Sequence, residues 1–276
     1  MENDIDLEYV TDYHCIVNTS NIRSGNIGAI LLHNFACIID TTTYSITARS
    51  FREKIEKYFN LPIKFLIYTH YHGDHIFGAS AFRDLIIISS KKTLRNLTNL
   101  KTLKLIEEWK TNLMKEDSLA EGIEIVLPSI CFTDKLSIKD EDLEIKINHC
   151  GGHTSGSSYV YFPKEKVIYT GDLIFEDIYP YAGDPTCNPD TWITQLKKIR
   201  NMDIEKIVPG HGPILLKREL NKHIEFYESL KVLISEAIRK NLTVDKIIPP
   251  NFFEFEADIW KPIAVEYWYN FYKGRL

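Results

Sequence analysis

The stretch Thr69-His70-Tyr71-His72-Gly73-Asp74-His75 follows directly on the apolar run Ile63-Lys64-Phe65-Leu66-Ile67-Tyr68. Alternate side chains of an extended segment share a face, so His70 and His72 can converge on one point. A tight turn at Gly73 re-aims the chain and presents Asp74 and His75 to a neighbouring point. Imidazole suits zinc, iron and related ions, and a carboxylate adds charge compensation. Nine histidines occur in the whole chain, so three within six positions is poorly explained as chance clustering in a solvated loop. The end of a buried strand is also where a rigid scaffold holds reactive groups.

Three further positions share this layout of strand, glycine-bounded turn and ligand-type side chain. His153 lies in Gly151-Gly152-His153-Thr154-Ser155-Gly156, Asp172 in Tyr169-Thr170-Gly171-Asp172, and His211 in Pro209-Gly210-His211-Gly212-Pro213. Flanking glycines allow close approach of the backbone to an ion. Taken singly, each is equally a turn residue satisfied by backbone. Taken with the first cluster, they supply enough ligands for two ions.

Around these sites the pattern predicts strands at Cys15–Val17, Ile27–Leu32, Ala36–Asp40, Ile63–Tyr68 and Leu85–Ser89. Further strands are predicted at Ile123–Leu127, Ile130–Thr133, Leu143–Asn148, Ser158–Phe162, Val167–Tyr169 and Lys206–Val208. The stretch Asn18–Asn26 carries turn punctuation. Helices are expected at Ser45–Tyr58, His75–Phe82, Pro189–Arg200, Leu216–Lys240 and Trp260–Tyr272, with one or two more in Lys91–Lys115. Strands followed by helix, twice over, fit an α+β fold of two mixed sheets packed face to face with helices outside, rather than a doubly wound parallel sheet. No linker-like composition shift divides the 276 residues, so one domain is expected, with a helical insertion at about residues 91–117 and a helical extension at about 215–276.

A net charge of −5 offers no basic field for nucleic acid. Five scattered cysteines without a Cys-x-x-Cys pair argue against a disulfide framework and a zinc knuckle. Residues Met1–Asp6 lack the pattern of a signal peptide, and no apolar run is long enough to span a membrane. A cytoplasmic protein acting on a small molecule is the expectation.

From about Val17 to Leu215 the sequence resembles the metallo-β-lactamase superfamily of four-layer αβ/βα sandwich hydrolases. The resemblance implies that His70, His72 and His153 hold one metal, that Asp74, His75 and His211 hold a second, and that Asp172 bridges them. Zinc is the implied ion, with iron or manganese the alternatives. Two such ions would acidify a shared water, and the resulting hydroxide would attack an ester, thioester, lactone or similar carbonyl. Asp74 would also orient that hydroxide. Asp172 resembles the glyoxalase II and lactonase members rather than true β-lactamases, which have Cys or Ser in that region. The stretches His75–Phe82 and Gly171–Phe175 through Trp192 look most like hydrolases associated with quinoprotein and sulfur-oxidation systems. The motif from His72 to Gly78 also resembles ribonuclease Z, though that enzyme's basic arm is not evident, nor is a glutathione-binding pattern after His211. Alternatives are a weak β-lactamase-like amide hydrolase, an iron-dependent sulfur-compound oxygenase, a ribonuclease Z-like phosphodiesterase, and a non-catalytic scaffold, which would normally have lost ligands.

Tyr71, Tyr179 and Tyr181 are candidate proton donors or oxyanion stabilisers, with packing as the plainer role. Cys150 is expected as a small buried hydrophobe rather than a ligand, and His14, His33, His149 and His223 as surface or hydrogen-bonded residues. The Lys91–Lys115 helices and the aromatic C-terminal helix are expected to roof the cleft, to form a homodimer contact, or simply to bury themselves on the core.

Overall fold

Strands covered on both faces lose the strict apolar–polar alternation of a half-exposed sheet, and most strands here read that way. A computed structural model describes residues 5–12, 14–18, 24–120, 123–249 and 260–275. The expected punctuation at Asn18–Asn26 therefore lies partly outside the described residues, as do the first four residues. In chain order the elements are β1 (Glu8–Tyr9), β2 (Cys15–Asn18), β3 (Ile27–Leu31), β4 (Ala36–Ile39), α1 (Ser45–Phe59), β5 (Ile63–Ile67), α2 (Gly73–Ile76) and β6 (Ile86–Ser90). There follow α3 (Lys91–Thr98), α4 (Leu100–Glu116), β7 (Ile130–Phe132), β8 (Lys135–Asp140), β9 (Leu143–His149), β10 (Ser158–Phe162) and β11 (Val167–Tyr169). The last are α5 (Pro189–Arg200), β12 (Lys206–Val208), β13 (Leu215–Leu216), α6 (Leu220–Arg239) and α7 (Trp260–Lys273).

Strands β1 to β7 form one seven-stranded sheet in sequence order, antiparallel as far as β4 and parallel from there. The second sheet has six strands in the order β13-β12-β11-β10-β9-β8, antiparallel except between β11 and β12. Alternation along each strand divides its side chains between two cores. In β4, Cys37 and Ile39 join the apolar layer between the sheets, while Ile38 turns outward to Phe51 and Ile55 of α1. In β11, Val167 and Tyr169 face inward and Ile168 faces outward to Trp192 and Leu196 of α5. The result is a four-layer α+β sandwich with α1, α3 and α4 outside one sheet and α5, α6 and α7 outside the other.

Local chemistry sets the helix ends. Asn188 caps α5 by accepting from Thr191 N, with Pro189 in the first turn where its missing N–H costs nothing. Ser90 and Asn99 cap α3 and α4 in the same way.

Some expectations need correction. Ile123–Leu127 forms no strand, because the adjacent edge of β6 is already paired with β7. Ile123 instead fills the outer core. Strand β8 was not expected, since Lys135-Leu136-Ser137-Ile138-Lys139-Asp140 buries only Ile138, the mark of a charged edge strand. The two-residue strands β1 and β13 are too short to leave a periodic signal.

Strand direction decides where the loops gather. Strands β4 and β5 run parallel, and so do β9, β11 and β12, since β9 is antiparallel to β10 and β10 to β11. The carboxyl ends of these five strands lead directly to Asp40, His70, His153, Asp172 and His211.

Helix α7 is held on the outer core by Trp268, fully buried and stacked on Tyr227 of α6 at 5.7 Å. Trp268→Ala should therefore cost about 3–5 kcal/mol in urea unfolding, the usual range for emptying an aromatic site. A loss below about 1 kcal/mol would show that this packing contributes little.

Candidate metal centre

Each functional side chain sits where the chain must bend sharply. His72 is extended (φ −67°, ψ 149°), and the single turn of α2 begins at Gly73, swinging Asp74 and His75 away from the line of His70 and His72. The helix expected at His75–Phe82 thus starts two residues earlier and tightens to a 3₁₀ turn from Phe77 to Phe82. Gly171 has φ +50°, and a Cβ there would also strike Thr69. At Gly210 a Cβ would collide with Asp172 Oδ1, so the two loops can meet only because this residue is glycine.

The seven expected ligand-type residues fall into two groups. His70, His72, His153 and Asp172 form one, and Asp74, His75 and His211 the other, with the facing atoms of each group within 4.8 Å of one another. In the first, His72 Nδ1 lies 2.9 Å from His153 Nε2, and Asp172 Oδ2 lies 3.3 Å from His153 Nε2 and 3.6 Å from His70 Nε2. In the second, Asp172 Oδ1 lies 2.9 Å from His75 Nε2 and 3.5 Å from His211 Nε2. Asp74 Oδ2 lies 3.0 Å from His211 Nε2 and 3.7 Å from His75 Nε2. The two oxygens of Asp172 therefore face different groups.

These residues fit a pair of divalent cations. Four donors at about 2.0–2.1 Å from a tetrahedral ion stand roughly 3.4 Å apart, the spacing seen in both groups. His70 Nε2, His75 Nε2 and Asp172 Oδ1 are buried without a well-aligned hydrogen bond. Buried polar atoms rarely stay so unless something else satisfies them.

Two acidic residues not singled out in the sequence stand behind the histidines. Asp40 accepts from Thr69 N and Thr69 Oγ1, both at 2.7 Å, and contacts His75 Nδ1 at 2.9 Å. Asp184 contacts His72 Nε2 at 2.9 Å, accepts from Thr186 N at 2.7 Å and takes the Tyr71 hydroxyl. A carboxylate on the far nitrogen fixes an imidazole's tautomer and leaves the near nitrogen for a cation. The signal for Asp184 was available, because Gly183-Asp184 repeats the Gly-Asp pairs at Gly73-Asp74 and Gly171-Asp172. Asp40 ends a predicted strand and was legible only as part of it.

Charge is distributed unevenly. Burial opposes ionisation of Asp172, yet His75, His211 and His70 hold its carboxyl well below the usual range. Burial likewise opposes a charged His211, but Asp172 and Asp74 raise it to about 9. Burial pushes His153 down to about 3 and His70 well below its ordinary value, with the neighbouring His75 adding to the effect on His70. Against the pull of burial, His72 holds Asp184 down at about 2.

Above these groups lies a cleft of about 440 Å³ whose floor includes His72, Asp74, Asp172 and His211. Its walls carry Phe77, Tyr181, Trp109 and Leu113 of α4, and Trp260 and Ile263 of α7. Both helical segments thus reach the cleft, as one of the expectations had it. The tyrosines divide. Tyr181 lines the cleft, with its ring 5.7 Å from that of His72. Tyr71 does not; its hydroxyl is directed to Asp184 behind His72. Tyr179 packs on Phe226 at 5.4 Å in the outer core. The thiol of Cys150 donates to Ser157 O. His14, His33 and His223 pair with Glu165, Asp142 and Glu176, and His149 contacts Ser155 O, all apart from the cleft.

The family profile described as Metallo-beta-lactamase superfamily matches residues 21–211. Among curated relatives, the 2,4-dinitroanisole O-demethylase subunit alpha of Nocardioides sp. is 25% identical over 79% of this chain and 62% of its own. The hydroxyacylglutathione hydrolase of Pelagibacter ubique is 26% identical over 76% of each. The solved structure of a double mutant of the sec-alkyl sulfatase PisA1 aligns with 100% of this chain and 51% of that chain, with TM-score 0.75 and 14% identity. The chain spans between 47% and 62% of the length of the first curated relatives it matches. No helix among the described residues is long and apolar enough to cross a membrane.

Two predictions follow from this geometry. In the metal-free protein His211, at about 9, carries a proton near neutrality, whereas His153, at about 3, does not. A cation entering the Asp74/His75/His211 group must displace that proton and a second one on His75, which, against the pull of burial, Asp172, Asp74 and Asp40 raise well above its ordinary value. Its affinity there should rise by up to about a hundredfold per unit between about pH 6 and pH 8, far more steeply than affinity at the His70/His72/His153 group. Calorimetric zinc titrations at both ends of the window should show one steeply and one weakly pH-dependent class; two weakly dependent classes would contradict the assignment. Asp184→Asn should weaken zinc about 10–100-fold at the His72 group alone, read from the same titrations.

Proposed function

Since the chain belongs to the metallo-beta-lactamase superfamily, we propose that it hydrolyses an ester, thioester or lactone in a small molecule, using two divalent cations held by His70, His72, His153, Asp74, His75 and His211 with Asp172 shared between them. The observation that carries this reading is the position of Asp172, whose Oδ2 faces His153 and His70 while Oδ1 faces His75 and His211. Each oxygen thus faces a histidine group of its own, which supports two ions rather than one. The likeness to hydroxyacylglutathione hydrolase supports the choice of a carboxylic ester or thioester over an amide. We also propose one sandwich domain, in which the helical segment of about residues 91–117 and the extension from about 215 supply the two cleft walls.

When bound, divalent ions supply the Lewis acidity that makes water a competent nucleophile near neutral pH and polarises the bond to be broken. The chain's own residues do the rest. Asp40 and Asp184 fix the rings of His75 and His72, so that the ligand atoms converge before any substrate enters. Asp74, about a quarter exposed and the most open of the seven, meets the cleft and can accept a hydrogen bond from the attacking water. Burial and the nearby Asp184 push the Tyr181 phenol up to about 12, so it stays protonated as a donor toward developing negative charge. That role passes to Tyr181 because Tyr71 is engaged by Asp184 and Tyr179 does not line the cleft.

The test is a panel of aryl ester, thioester, lactone, β-lactam, alkyl sulfate and phosphodiester substrates assayed at known metal content. The carbonyl esters, thioesters or lactones should be turned over fastest. A chelator should abolish that activity, and Asp172→Ala should lower kcat/KM by on the order of 10²–10³-fold. Turnover that survives both treatments would overturn the reading.

A further inference from the structure

The walls of the cleft differ in chemistry from its floor. Every ionisable group of the described lining, apart from the Tyr181 phenol, lies in the floor: His72, Asp74, Asp172 and His211. The walls are aromatic and aliphatic. Trp109 stands edge-on to His72 with ring centres 5.8 Å apart, and Tyr181 does the same at 5.7 Å. Trp260 closes the other side, 5.9 Å from both Tyr181 and His211. No lysine or arginine is among the described lining residues. The net charge of −5 adds no attraction for anions from afar.

From this we infer that the substrate presents an uncharged aromatic or bulky apolar group to the wall formed by Trp109, Leu113, Tyr181 and Trp260, with its scissile bond at the floor. An anionic group placed distal to that bond would lose water against apolar side chains and gain no counter-charge, an unfavourable exchange. A flat neutral ring would instead meet aromatic edges and faces at favourable spacing. Peptidyl thioesters with free carboxylates, and other substrates whose far end is acidic, are disfavoured by the same walls. The inference rests on the hydrolase reading only for the bond that is broken; the preference of the walls is independent of it.

Two matched pairs test the inference and that reading separately. The cleavable pair is 4-tolyl acetate and 4-acetoxybenzoate, assayed with the metal-loaded protein and with each rate divided by its hydroxide-catalysed rate. The uncleaved pair is the corresponding anilides, 4′-methylacetanilide and 4-acetamidobenzoate, whose binding is followed by calorimetry. The tolyl compound of each pair should be favoured by roughly tenfold or more, in kcat/KM and in affinity. Trp109→Leu and Trp260→Leu should each reduce the advantage several-fold without a matching loss for the carboxylates. Leu113→Arg should narrow the gap by improving the carboxylates. If neither of these esters nor any ester, thioester or lactone of the panel is cleaved but the anilide preference holds, the hydrolase reading fails and the inference stands. Equal or reversed preference in the binding pair, or indifference to all three substitutions, would overturn the inference.

Discussion

One carboxylate organises this molecule. Asp172 must direct one oxygen to each of two histidine groups from a buried position at the cleft floor, so the loops after β5, β9, β11 and β12 have to meet within a few ångströms. Two sheets stacked face to face supply that meeting, because the strands concerned end at a common rim. The approach is close enough that Gly210 and Gly171 have no room for a side chain. The apolar layer between the sheets and the outer cores then serve to hold the rim in register.

The charge pattern follows from the same constraint. Five histidines and two aspartates, all but Asp74 buried, are brought together, an arrangement expensive for any protein unless cations compensate it. Without metal, protons on His75 and His211 take that part between Asp172 and Asp74. Asp40 and Asp184 stand one layer further out and fix ring orientation, so most of the geometry is built before any ion arrives. The aromatic walls supply none of the ligand atoms, which keeps most of the proposed recognition apart from the proposed chemistry.

Much of this was legible in the sequence. The run from Thr69 to His75, with His153, Asp172 and His211 each after a strand, indicated the residues that the distances bring together, the family resemblance implied how they divide, and the order of strands and helices indicated two mixed sheets. Elements whose burial is one-sided or brief left little trace: β8 carries a single buried side chain, and β1 and β13 span two residues each. Ile123–Leu127 has the composition of a strand but no open edge to join, which is a property of the sheet rather than of the segment. Asp184 and Tyr181 meet His72 from about a hundred residues away in sequence; the Gly183-Asp184 pair marks the first as ligand-like without saying what it touches, and Tyr181 was singled out with Tyr71 and Tyr179 on local grounds alone. Whether an aromatic residue beside a turn points into a cleft or a core depends on the loop's path, which only the assembled structure contains.

Trp109, Leu113, Trp260 and Ile263 belong to α4 and α7, neither of which contributes a residue to the ligand groups or to the hydrogen bonds that orient them. Apart from Tyr181, which serves both, the proposed selectivity and the proposed reactivity are thereby carried on different parts of the chain. Remodelling of α4 or α7 can redirect the protein toward new compounds while the reactive bed stays intact, and the adaptive paths open to such a chain run through its helices before they touch its histidines.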